Sequence, residues 1–385
     1  MLMEGKALLM FIICIFGALF MLLYPPRNFK LSGGKIRAMT SIKETKGYLN
    51  NDDVINIAKE MAKNSPDVMR FVELKPQTFK NNTIIAIELQ SDRNSKKPGI
   101  FIIGALDGMV WTAPNVILEF ARKLLYDANY QTPFFNDYNW FLIPLANPDG
   151  LELTHIFRNY PKISADLWTR NVTSKKQYGP DKWHKNVQNI SEPKCFGVNI
   201  NRNFAYHWQD DAKRSPGGRC SQYYAGDKPF STPEAKAIRQ YIDGLGSHIQ
   251  LAIHLHANFE LKKEFILYPW RYSLRQNSNY MMLQGVGEYA ARSSRLPGGR
   301  LYEVHQSSMD GRAAGSISDY ISGVLGVELV FILKPYHELY PNFTDNKPRE
   351  LYMKKSLPVI LNLVRGWRSN KKDNTLSFFG QEVDF

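Results

Sequence analysis

The stretch Gly99–Asp127, GIFIIGALDGMVWTAPNVILEFARKLLYD, decides how this chain folds. Its first eight residues are an apolar run that ends in a Gly-containing turn, which reads as a buried strand. Trp111 closes the turn, and a helix follows with Pro114 near its first turn, where a missing amide proton costs nothing. A buried strand feeding directly into a helix is the repeating unit of an α/β sheet covered by helices.

The pattern continues outward from that unit. Toward the N-terminus, Asp52 to Asn64 places Val54, Ile55, Ile57, Ala58, Met61 and Ala62 on one helical face. NTIIAIEL (82–89) is a strand, and YNWFLIPLANPDG (138–150) is a buried strand that breaks into a turn at Pro148-Asp149-Gly150. Further on come a helix from Pro233 to about Leu245, the strands IQLAIHLHA (249–257) and EFILYPW (264–270), and a helix around Met281 to Ala291. The strand GVELVFIL (326–333) and a helix from about Arg349 to Val364 complete the series. No internal repeat is present, so the expectation is one α/β domain with a mixed central β-sheet covered by helices on both faces.

Composition agrees with a folded chain: of 385 residues 44% are hydrophobic and 22% charged, enough to bury a large core. The net charge of +13 is spread as isolated residues and pairs such as Lys354-Lys355 and Lys371-Lys372, without the basic stripe or reader motif of a nucleic-acid-binding protein. Nucleic acid is therefore not an expected partner.

The N-terminus divides into a short segment 1–6, an apolar segment 7–24, and a polar linker 25–44. Ala7 to Tyr24 carries no charge, is closed by Pro25-Pro26, and lacks a clear cleavage site, so it reads as a signal anchor rather than a removed signal peptide. Arg27, Lys30, Lys35 and Arg37 would hold the following flank in the cytoplasm. Four Asn-x-Ser/Thr sequons, at Asn81, Asn171, Asn189 and Asn342, point instead to the lumen of the secretory pathway. Cys14 lies in the apolar segment, which leaves Cys195 and Cys220 as a pair closing a 26-residue loop. They are either a disulfide, with a stabilisation of about 3 kcal/mol, or two buried thiols.

Five motifs occur in order: ANPDGLELTH (146–155), GVNINRNFAYHW (197–208), YYAGDKPFSTPEAKAI (223–238), FILYPW (265–270) and AAGSISDY (313–320). Together they make residues 45–367 resemble the zinc metallocarboxypeptidases of the pancreatic A/B type, with 368–385 left as a polar tail. The resemblance implies a carboxypeptidase A-like fold, a bridge between Cys195 and Cys220, and zinc. Such chemistry requires three protein ligands with one position open to water, a carboxylate to take that water's proton, and cations to hold the substrate's terminal carboxylate. Some twenty residues between the apolar segment and the domain leave no room for the inhibitory pro-segment that many of these enzymes carry.

Residue by residue, the resemblance places Asp107 at the first zinc ligand, Val110 at the second and His254 at the third, with His256 a further donor on the same strand face. Valine has no lone pair to offer a metal. The general-base position falls on Lys334 or on Leu333, depending on the register taken, with Glu338 several residues beyond. Neither register supplies a carboxylate, and a lysine there would repel a divalent cation. Asn201 and Arg202 match the pair that grips a substrate carboxylate, for which an arginine fork is well shaped. The oxyanion arginine position holds Thr169, with Arg170 next to it; a second arginine position holds Met109; the pocket-capping tyrosine position holds Gly311; and Ser318 matches the pocket floor.

Each of these residues also has a plainer reading. His254 and His256 would be hydrogen-bonded core histidines, Asp107 a cap for the helix after it or a brace for its turn, and Asn201 and Arg202 loop-building residues. Three functions remain in view. They are a metallocarboxypeptidase-like pseudoenzyme that binds peptide C-termini or a protein partner, an active zinc exopeptidase with a non-standard ligand set of Asp107, His254 and His256, and a structural or adhesive surface protein.

Overall fold

The computed structural model describes residues 47–93, 96–159, 182–189, 195–212, 218–258, 263–295, 301–336 and 346–376. The chain separates into a unit of residues Met1–Glu44 and a unit of residues Thr45–Phe385. The apolar segment 7–24, the linker, Thr169, Arg170, Asn171, Glu338 and Asn342 lie outside the described residues. Among the described residues, no helix is long and apolar enough to cross a membrane.

Eight strands form one mixed sheet: β1 Met69–Glu73, β2 Ile85–Leu89, β3 Gly99–Gly104, β4 Asn139–Ile143, β5 Ile249–Leu255, β6 Phe265–Tyr268, β7 Glu303–Gln306 and β8 Leu329–Lys334. Their order across the sheet is β1-β2-β4-β3-β5-β8-β6-β7. The central strands β4, β3, β5 and β8 run parallel to one another, while β2 and β6 flank them antiparallel. All residues of β3 and β4 are buried, the mark of strands covered on both faces.

The principal helices are α1 Asn51–Asn64, α2 Ala113–Tyr126, α3 Pro148–Asn159, α4 Pro233–Leu245, α5 Tyr280–Ser293, α6 Ile317–Gly323 and α7 Asn346–Leu376. On one face of the sheet Phe101, Ile103, Ala252 and Val330 pack with Ala235, Ile238 and Ile242 of α4 and with Ile317 and Ile321 of α6. On the other face, α7 lies along α5 and α2. Gly104 lets α2 approach there, because a Cβ on it would stand 2.8 Å from both Ala113 and Ile117. The expected two-sided α/β sandwich is the observed one.

Three local readings need correction. NPDG is not a free turn but the start of α3: the Asn147 side-chain oxygen accepts from the Gly150 amide at 2.9 Å, with Pro148 at the head of the helix. Asp149 is then held from outside, accepting from Thr78 Oγ1 at 2.6 Å, the Lys80 amide at 3.0 Å and Asn82 Nδ2 at 2.9 Å. The last helix does not stop near Val364: it runs through Gly366 without a C-cap there and continues to Leu376, into the stretch read as a polar tail. Finally, Thr112 and not Asp107 precedes α2, and it makes no side-chain cap.

Cys195 and Cys220 form a disulfide with their Cα atoms 5.0 Å apart. This settles the choice left open between a bridge and two thiols.

Candidate functional site

Parallel strands β3, β5 and β8 end together, and their C-terminal edge is where α/β sheets bind ligands. The register places Ile103 beside His254, and His254 beside Ile332. Side chains alternate along a strand, so His254, Ile332 and Lys334 share a face, the one covered by α4 and α6. Leu333 pairs with Leu255 and points the other way, into the opposite layer. Of the two registers for the general base, only Lys334 therefore reaches the site, and the residue directly beside His254 is Ile332. No carboxylate stands at either place.

Asp107 sits three residues beyond β3 in a tight turn closed by a Val110 amide to Asp107 carbonyl bond of 3.0 Å. Gly108 is required there, since a Cβ would meet the Gly150 backbone at 2.7 Å. Trp111 anchors the turn by donating from Nε1 to Thr154 Oγ1 at 2.7 Å, and Thr154 lies 2.9 Å from the Gly108 carbonyl. The carboxylate of Asp107 is buried. Its Oδ2 lies 2.6 Å from His256 Nε2 and 3.4 Å from His184 Nδ1.

That pairing determines the electrostatics of the turn. Burial alone would raise the Asp107 pKa, but the His184 and His256 imidazoles outweigh it and hold the carboxyl well below its ordinary range. Burial lowers His256 in spite of the neighbouring Asp107 charge, so the neutral ring offers its Nε2 proton to the carboxylate. His254 is driven down to about 3, by burial first and by His256 second. Asp107 is thus neither a helix cap nor a simple turn brace: it is the centre of a buried cluster with two histidines.

His184 was invisible to motif reading because it lies on an irregular loop with no periodic pattern. The loop reaches the turn through the Met109 amide, which donates to the Trp183 carbonyl at 3.0 Å.

The pair that the resemblance assigns to a substrate carboxylate lies on a separate loop. Asn201 and Arg202 lie on a buried turn, Ile200–Arg202. Asn201 Oδ1 accepts from the Ile317 amide at 3.2 Å, which ties the turn to the head of α6. Arg202 donates from Nη1 to the Asn201 carbonyl at 2.8 Å, with its guanidinium 5.9 Å from the Tyr223 ring centre. Gly315 permits this approach: a Cβ on it would stand 2.2 Å from the Arg202 carbonyl oxygen. Ser318 is buried on the first turn of α6, and Gly311 follows the turn Ser307–Asp310 with φ 111°. Lys334 feels both Arg202 and Arg271; burial, reinforced by Arg271, brings it down to about 8. Arg271, the residue directly after the motif FILYPW, is the second site residue that the motifs did not flag.

The residues do not fit the three-ligand zinc site that the resemblance implies. Asp107 Oδ1 and His254 Nδ1 are buried polar atoms without a hydrogen-bond partner, which a cation could satisfy. The second ligand position is the aliphatic Val110, however, and the free donor of His256 is turned to Asp107 Oδ2. Among the described residues, no group of three His, Cys, Asp or Glu side chains is arranged to hold a metal ion.

Comparison with known proteins gives a consistent result. A family model described as zinc carboxypeptidase matches residues 54–342. Zinc carboxypeptidase A 1 of Drosophila melanogaster is 26% identical over 309 residues, covering 77% of this chain and 63% of the relative. An inactive metallocarboxypeptidase of Saccharomyces cerevisiae is 25% identical over 267 residues, covering 65% of this chain and 55% of the relative. The chain thus spans somewhat over half the length of these relatives. Among solved structures, carboxypeptidase A from Helicoverpa armigera superposes with a TM-score of 0.69 at 21% identity, covering 85% of this chain and 75% of that one. Bovine thrombin-activatable fibrinolysis inhibitor, in complex with tick carboxypeptidase inhibitor, gives a TM-score of 0.68 at 20% identity, covering 84% and 99%. At these identities the structural likeness speaks for the fold alone.

Proposed function

Because this chain belongs to the zinc carboxypeptidase family, we propose that it uses the family's cleft to bind peptide C-termini without cleaving them at an appreciable rate. One observation carries this reading: the carboxylate at the first ligand position is already paired, Asp107 with His256 at 2.6 Å, beside a valine where a second donor belongs. Hydrolysis needs a water activated by the metal and a base to take its proton. Here the base position on the sheet face is filled by Ile332 and Lys334, and neither accepts a proton from a bound water at neutral pH while lysine stays charged. The binding half of the machinery is retained. Arg202 supplies a planar fork suited to a terminal carboxylate, and Asn201 supplies an amide donor beside it.

The test is zinc content and peptidase activity measured on one preparation of the purified chain, together with calorimetric binding of short peptides. The expected result is zinc far below one ion per chain, no release of C-terminal residues, and binding that is lost when the peptide ends in an amide or when Arg202→Ala is introduced. Stoichiometric zinc with turnover would overturn the reading. It would support instead a non-standard exopeptidase, for which the unpartnered Asp107 Oδ1 and His254 Nδ1 are the favourable observation. The Cys195–Cys220 bridge supports residence in an oxidising compartment, which fits entry into the secretory pathway through the apolar segment 7–24 as signal or anchor.

A further inference from the structure

Lys334 lies within electrostatic reach of both Arg271 and Arg202, and the carboxylates around it, Asp310 and Asp107, offset that charge without pairing with it. Lys334 is the last residue of β8, on the His254 face, and its electrostatic neighbours are Arg271, Asp310, Asp107 and Arg202. Asp107 is held by His256 and His184. Asp310 is paired with His305 Nε2 at 2.8 Å. Asp319 spends its carboxylate on the backbone amides of Arg271 and Tyr272, at 3.0 to 3.1 Å, and thereby fixes where Arg271 starts. Among the described residues no carboxylate forms an ion pair with Lys334 or Arg271, and the Arg271 Nε is buried without a hydrogen-bond partner. Like charges brought together out of water are costly unless an anion joins them.

One terminal carboxylate on Arg202 and Asn201 does not satisfy this set. We propose that the cleft selects peptides whose last residue is aspartate or glutamate, the α-carboxylate going to Arg202 and Asn201 and the side-chain carboxylate to Lys334 and Arg271. The proposal rests on the reading that the cleft binds peptide C-termini, and it adds the chemistry of the final side chain. Ser318, at the family's pocket-floor position and buried on α6, brings no charge of its own and leaves the selection to these two cations.

The experiment compares affinities of one short peptide ending in Glu, Gln, Leu or Lys, together with the Glu-ending peptide as its C-terminal amide and free glutamate. A Glu-ending peptide is expected to bind on the order of tenfold or more tighter than the Gln-ending one, as charge-assisted pairs outweigh neutral ones. Lys334→Met and Arg271→Gln should each shrink that ratio while leaving the Leu-ending peptide bound, and Lys334→Arg should restore it. Replacing a half-buried lysine that forms no ion pair by methionine removes a poorly solvated charge, so the variant is expected to fold. Equal affinity for Glu and Gln endings would overturn the acidic selection while leaving C-terminal binding intact. Failure of every free-acid peptide to bind would overturn the underlying reading, and free glutamate binding as tightly as the peptide would overturn the peptide as occupant.

Discussion

Replacing His155 by phenylalanine should make this protein relatively more resistant to acid, by an amount the structure allows one to work out. His155 is buried on α3 with its ring set edge-on to Trp111, centroids 4.7 Å apart at 89°. Burial lowers its pKa from an ordinary 6.5 to about 3. A folded pKa below the unfolded one means that the unfolded chain binds the extra proton, so stability is full above the unfolded value and is lost as the pH falls from about 6.5 toward about 3. Between pH 7 and pH 5 the linkage relation gives a loss of about 2 kcal/mol for this one group. His254, also near 3, loses a similar amount.

Two buried carboxyls act in the opposite sense. Burial raises Glu234 to about 7 and Asp319 to about 6, so both bind protons more readily when folded and add stability as the pH falls, by about 2 and about 1 kcal/mol over the same interval. These gains offset much of the loss from His155 and His254, while His256, also lowered by burial, adds to the loss. The histidine contribution then shows only as a difference. Phenylalanine keeps the edge contact with Trp111 and cannot titrate, so urea unfolding at the two pH values should find His155→Phe gaining about 2 kcal/mol on the parent at pH 5 relative to pH 7. Glu234→Gln should show the reverse. If His155→Phe tracks the parent in parallel across the interval, the buried neutral histidine is not what the acid has to charge.

Two further outcomes test other parts of the molecule. The double substitution Asp107→His with Val110→Glu supplies the two missing donors beside His254, and should bring bound zinc close to one ion per chain by elemental analysis where the parent holds little; equal zinc in both would mean that these positions do not set metal binding. Asp149→Ala strips the three donors of the Thr78–Asn82 loop of their acceptor, and should lower stability by about 3 kcal/mol in chemical denaturation, with a loss below about 1 kcal/mol refuting the view that this carboxylate clamps the loop to α3.

How far the sequence is legible depends on how many partners each element needs. β3, β4, β5 and β8 are buried on both faces, so their apolar runs announce them without reference to neighbours. β1 and β7 close the two edges of the sheet, are short, and mix exposed with buried positions, which leaves MRFVE and EVHQ without a period to read. NPDG shows a subtler limit, because Asn-Pro followed by Asp-Gly is good chemistry for a turn and for a helix start alike. What turns it into α3 is tertiary: the side chains beyond it find a place, as when Thr154 takes the Trp111 indole and His155 packs on the same ring.

The site follows the same rule with more at stake. Asp107, His254, Asn201 and Arg202 were recognisable because each sits in a linear motif, but the meaning of Asp107 depends on residues 77 and 149 positions away along the chain, His184 and His256. A lone aspartate at a ligand position reads as a weakened metal site; the same aspartate beside two imidazoles has Oδ2 committed to them and only Oδ1 left for a cation. The choice between Leu333 and Lys334 is likewise a matter of sheet register, which no count along one strand can fix, because a slip of one residue exchanges the two faces. Once His254 is paired with Ile332, the alternation puts Lys334 on the His254 face and Leu333 on the other. Lys334 thus bears on both proposals, binding without cleavage and selection of an acidic C-terminus, so Lys334→Met should change selection among peptides and give rise to no release of C-terminal residues.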